Sequence, residues 1–222
     1  MNYLHRWILG GAAAMALALP VAAVPVHVEI RGSVDYNVIR GDLAGIGSGA
    51  PVTMGFDVDS NDFVDNPNYP TRGYRIDLAS FDMNFGGVHI ALDLPQPYAD
   101  AYFVLRNNDP AVDGFFLSQG SLDYPLPLTV HIPGLVPEHD LDFSRTFSND
   151  TTLSSLNILD ARGTYGFENM SSYLWTIGRF GSPGAEVVYE SITISAAVPE
   201  PSTLALFGVG ALLVSWRRMR RG

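Results

Sequence analysis

From Val26 to Ile194 the apolar side chains recur at every second residue, and no stretch of ten or more residues keeps a helical stripe. The runs Val26/Val28/Ile30, Val34/Tyr36/Val38, Val52/Met54/Phe56/Val58 and Tyr74/Ile76/Leu78 each turn one face of an extended chain to a core and the other to water. Phe81/Met83/Phe85, then Gly86-Gly87, then Val88/Ile90/Leu92 reads as a hairpin, because the two glycines supply the positive φ angles of a two-residue turn. Further strands are predicted over Tyr102–Leu105, Phe115–Leu117, Leu126–Ile132, Leu141–Phe147, Tyr173–Ile177 and Val187–Ile194, with one short helix over Thr151–Leu159. About ten strands with turn signals roughly every 8–15 residues predict an all-β domain, an antiparallel β-sandwich or jelly roll.

Composition narrows what such a domain does. The 222 residues include no cysteine, which excludes disulfide scaffolds, cysteine zinc sites, iron–sulfur clusters and thiol catalysis. There is no lysine either, and between residues 24 and 198 eight arginines face 22 acids, a charge of about −14. Such a surface repels a phosphate backbone, so no nucleic-acid partner is expected. It suits solubility outside the cell and contact with divalent cations.

The two ends differ from the middle. Met1–Arg6 is short and weakly positive, Trp7–Leu19 is apolar, and Val21-Ala22-Ala23 places small residues where signal peptidase reads them. Residues 1–23 are therefore predicted to be a helical signal peptide cleaved after Ala23, with Pro20 and Pro25 separating it from a β-domain over 24–198. Residues 199–222 hold Pro199-Glu200-Pro201, an uncharged stretch, then Arg217, Arg218, Arg220 and Arg221. The two prolines keep the peptide extended, a shape that a protease binds. Residues 203–216, about 21 Å long as a helix against a hydrocarbon core of ~30 Å, are predicted to span the membrane once. Trp216 then lies at headgroup level, and the arginines snorkel on the cytoplasmic side.

This order of tripeptide, apolar span and arginine cluster resembles the PEP-CTERM sorting signal of exported proteins in Gram-negative bacteria that make extracellular polysaccharide. The resemblance implies exosortase as a partner that reads Pro199, Glu200 and Pro201. It also implies a transient inner-membrane intermediate anchored through Trp216 and the arginines, then delivery to the cell surface or to the extracellular matrix of a biofilm.

Inside the domain, Asp57, Asp59, Asn61, Asp62 and Asp65 resemble the first half of a calcium loop. The sixth position is Asp62 where an EF-hand needs glycine, and the twelfth is Asn68 rather than a glutamate, so the alternative is an Asx-rich turn capping strand 52–58. No cofactor is expected, with calcium at Asp57, Asp59, Asn61 and Asp65 as the exception kept open. His27, His89 and His131 fall at outward positions, and in Glu138-His139-Asp140 neighbouring side chains point to opposite faces. Gly45-Ile46-Gly47-Ser48-Gly49 reads as a turn, there is no GxSxG elbow, and no catalytic residue is assigned. Tyr69, Tyr98 and Tyr124 lie in proline-bearing loops, where exposed rings can stack on sugars. The expected function is a non-enzymatic surface or matrix protein with a structural or adhesive domain. A polysaccharide-binding module, calcium-assisted or not, is the alternative. A polysaccharide hydrolase is the third, and it needs two carboxylates about 5–10 Å apart across one cleft.

Overall fold

Among the described residues the alternation becomes twelve strands: β1 (Pro25–Asn37), β2 (Pro51–Asp65), β3 (Thr71–Ile76), β4 (Asp82–Phe85), β5 (Val88–Leu92), β6 (Ala101–Arg106), β7 (Gly114–Gln119), β8 (Leu128–His131), β9 (His139–Phe147), β10 (Gly163–Tyr165), β11 (Met170–Arg179) and β12 (Ser182–Ala196). The computed structural model describes residues 23–94, 100–109, 111–136, 138–179 and 182–197. The predicted signal peptide up to Ala22, Tyr98, and the predicted tail 199–222 with its membrane helix lie outside them. Among the described residues no helix is long and apolar enough to cross a membrane.

All pairings are antiparallel, and β1-β12-β11-β9-β7-β6-β3-β2 closes into an eight-stranded ring where β2 returns to β1. Two strands of this ring branch. On β2, Val52–Gly55 pairs with β4, whereas Val58 and Phe63–Asp65 pair with β3. On β9, His139–Leu141 pairs with β8, whereas Ser144–Thr146 pairs with β7. The path β4-β5-β8 therefore bridges β2 and β9 as a second wall. The all-β expectation holds. The ladder itself is a closed barrel with extra strands, because β1 is paired along both edges, and a sandwich or jelly roll is not the description it supports.

Period-two runs position the core as expected: Val26, Val28, Ile30, Val52, Met54, Phe56 and Val58 are all buried. Phe56, Phe103, Phe115 and Phe147 make a chain of ring contacts across the interior, with centroids 5.6, 5.6 and 5.7 Å apart. Such pairs each add about 0.5–1.5 kcal/mol beyond the area they bury. The Gly86-Gly87 turn joins β4 to β5 with φ of 59° and 99°. Strands β6 and β7 are buried on both faces, since Leu122 of the β7–β8 connection covers Tyr102, Val104 and Phe116 on the outside. That cover needs Gly73, where a Cβ would stand 2.3 Å from Leu122 Cδ2.

Several boundaries differ from the sequence reading. Val34, Tyr36 and Val38 belong to no separate strand: β1 is continuous to Asn37, Val38 is exposed, and Ile39 is the residue buried instead. Strand β2 does not stop at Val58 but runs through the acidic segment to Asp65, across a bulge between Val58 and Phe63. Residues 151–159 form no helix. Their amides are claimed by distant side chains, Leu153 N–H donating to Asp113 Oδ2 at 2.7 Å and Ile158 N–H to the Tyr74 hydroxyl at 2.9 Å.

Gly32 sits at the β1 register shift, with a notional Cβ 2.4 Å from the Val188 carbonyl oxygen and 2.9 Å from Trp175 Cζ3. Gly32→Ala is expected to cost about 1–3 kcal/mol through overpacking, read as a lower midpoint in urea unfolding.

Candidate functional site

The acidic segment of β2 lies on the strand, so its side chains diverge and each finds its own partner. Asp57 Oδ1 is 2.7 Å from His27 Nδ1, and Asp59 accepts the Asn61 amide at 2.8 Å. Asp62 is 3.3 Å from Arg75 Nε, and Asp65 holds Arg72 through bonds of 2.5 and 3.0 Å. Arg75 also pairs with Asp100, while Arg72 rests over the Phe63 ring at 3.9 Å. Among the described residues no group of three or more His, Asp or Glu side chains is arranged to hold a metal ion. The Asx chemistry appears at both ends of the segment, at Asp59 and at Asn66, whose Oδ1 accepts the amides of Asn68 and Tyr69.

His27 and His89 face outward as expected, and each Nδ1 meets a cross-strand carboxylate at 2.7 Å, Asp57 for the first and Asp82 for the second. His131 is exposed and His139 buried. Ser195, His27 and Asp57 stand side by side on β12, β1 and β2, lining a shallow cleft of about 250 Å³ with Ala196 and Ala197. These are the residue types of a nucleophilic triad. The imidazole, however, leans over β2, its Nε2 3.6 Å from a notional Cβ on Gly55, and so turns from Ser195.

The loops of two of the three loop tyrosines are tied to each other. Asn66 Nδ2 donates to Asp123 Oδ1 at 2.7 Å and Thr71 Oγ1 to the Leu122 carbonyl at 2.9 Å, so the loops bearing exposed Tyr69 and Tyr124 are joined.

The sequence reading missed Arg145. In His139–Phe147 the strict alternation places Arg145 on the same face as Leu141, Phe143 and Phe147, which was the available signal. It is fully buried, its Cζ lying 3.9 Å from the Phe147 ring centroid and 5.4 Å from that of Tyr189. Nη2 donates to the carbonyls of Gly166 at 2.6 Å and Glu168 at 3.2 Å, which ties down the crossover from β10 to β11. Burial pushes this guanidinium below its usual range, against the opposing pull of Tyr189 and Glu168.

Residues 197–221 match the PEP-CTERM protein-sorting motif, a span that contains Pro199, Glu200, Pro201, Trp216 and all four terminal arginines. The chain carries a PEP-CTERM sorting signal. It is thus an exosortase substrate, exported and processed from a membrane-anchored form toward the cell surface. No curated protein and no solved structure matches the chain.

In the barrel of this PEP-CTERM protein, burial pushes the Tyr189 phenol up to about 12 from 10.0, an effect that Arg145 opposes. A raised phenol favours the neutral form in the folded state, so its contribution is intact below pH 10 and is lost as the pH climbs to about 12. Burial raises Tyr74 and Tyr165 in the same sense. Unfolding followed by circular dichroism is expected to track tyrosinate absorbance across that window, and Tyr189→Phe, which cannot ionise, is expected to shift the transition to higher pH.

Proposed function

We propose that the protein is a non-enzymatic component of the cell surface or extracellular matrix, its barrel serving a structural or adhesive role after exosortase delivers it. The sorting motif at 197–221 carries this reading. A closed, cysteine-free barrel filled by aromatic side chains supports it, because such a domain persists outside the cell without disulfides. Signal peptidase acts first, at Ala23. Residues 203–216, ending at Trp216 and followed by Arg217, Arg218, Arg220 and Arg221, then hold the precursor in the inner membrane until Pro-Glu-Pro is read.

The second reading, a polysaccharide-binding module, is favoured by the Asn66–Asp123 bond that joins the loops of Tyr69 and Tyr124. Two exposed rings on tethered loops suit stacking on sugar faces. A glycan array with and without EDTA separates an adhesive domain that binds glycans from one that does not.

Two outcomes test the reading. Glu200→Ala with Pro201→Ala is expected to leave an intact, membrane-retained precursor, whereas deleting residues 204–222 releases unprocessed soluble protein. Fractionation and intact mass measure both, and a wild-type tail left uncleaved in its native host would overturn the sorting step. Because Asp57, Asp59, Asp62 and Asp65 each have a separate partner, the melting temperature is expected to be the same in millimolar calcium and in EDTA.

A further inference from the structure

We propose that the unpaired stretch between β11 and β12 is a binding site for a small ring-shaped carboxylate, with Arg145 as the cation it meets. The site is separate from the sorting and adhesive readings, neither of which requires a ligand there. Strands β11 and β12 pair only from Thr176 to Arg179, and β12 next gains a neighbour on that side at Ile192–Ile194, where β10 joins it. Among the described residues no ladder joins Met170–Trp175 to Val187–Ser191. The gap shows in the burial: Trp175 and Ile177 point inward and are buried, yet Tyr173 on the same face is 39% exposed.

Tyr173 is the cross-strand partner of Arg145. Its ring is 6.0 Å from Tyr189, which is 5.9 Å from Phe167, a side chain 54% exposed on the crossover. Rings thus wall the approach to a buried guanidinium. Among the described residues Arg145 Nε and Nη1 have no acceptor, nor has Nε1 of Trp175, the next inward residue of β11. Glu168 presents its backbone oxygen to Arg145, and among the described residues no carboxylate lies within ion-pair distance of the guanidinium.

These features select the ligand. Unmade buried donors are costly, and a charged acceptor in a low-dielectric site forms the strongest complement to them. Donors without acceptors exclude a cation and favour a carboxylate. The ring walls favour a flat apolar face, which both an acidic sugar and an aromatic acid present. Entry passes Phe167 and Tyr173, the exposed members of the wall.

Calorimetric titration of the full chain in mild detergent with D-glucuronate, benzoate and D-glucose tests this, with the Arg145 Nε–H followed by NMR. Glucuronate or benzoate is expected to bind and to displace that resonance, the first naming an acidic sugar and the second an aromatic acid. Phe167→Ala and Tyr173→Ala leave the cation in place and are expected to weaken binding about tenfold or more, with tail cleavage unchanged. Arg145→Met is expected to abolish binding, and if it fails to fold the two wall variants carry the test. Three results would overturn the proposal: no carboxylate binding at millimolar concentration, glucose binding as tightly as glucuronate, or binding that leaves the Arg145 resonance and the wall variants unaffected. Sorting is read separately by fractionation, so failure of one proposal is distinguishable from failure of the other.

Discussion

Strand β1 is hydrogen-bonded along both edges, to β2 over Pro25–Ser33 and to β12 over Val26–Asn37, and the barrel exists because of that double pairing. It joins the beginning of the domain to its end and leaves β1 no free edge over Val26–Ser33 on which another chain can add. With no cysteine to staple the chain, an exported domain depends on this closure and on the aromatic core inside it. The ring is tight at Gly32, where β1 shifts register and the Val188 backbone and the Trp175 ring come so close that only a hydrogen fits.

Branching at β2 and β9 determines where the charges go. After the bulge past Val58, β2 leaves β4 for β3, and this brings Asp62 and Asp65 to Arg75 and Arg72 rather than to one another. On β9 the branch keeps the strand at the centre of three walls, so every second side chain is buried, Arg145 included. The crossover that Arg145 fastens lies where β11 and β12 diverge, and there Tyr173 and Phe167 are exposed.

Much of the strand content was legible because alternation acts locally: a residue's face depends on its parity, and Val26 to Val34, Val52 to Val58, Met83 to Phe85 and His139 to Phe147 obey it. The Gly86-Gly87 turn was legible for the same reason, since its φ angles are a property of the dipeptide. Boundaries were less so. The acidic run after Val58 has the composition of a turn yet stays in the strand, because β3 arrives with arginines to neutralise it. Thr151–Leu159 has helical spacing yet forms none, because Asp113 and Tyr74 outcompete the local carbonyls for its amides.

The all-β class, the outward His27, His89 and His131 and the sorting tail follow from the residue order alone, the last because a linear motif is read as a linear peptide and needs no fold. Tertiary structure alone decided that the strands close into a ring, since a strand's two edges carry no label of their partners. It also decided what the carboxylates and Arg145 do. A charged side chain takes its role from what packs beside it, and residues as distant as 27 and 57, or 145 and 189, become neighbours only when the ladder is complete.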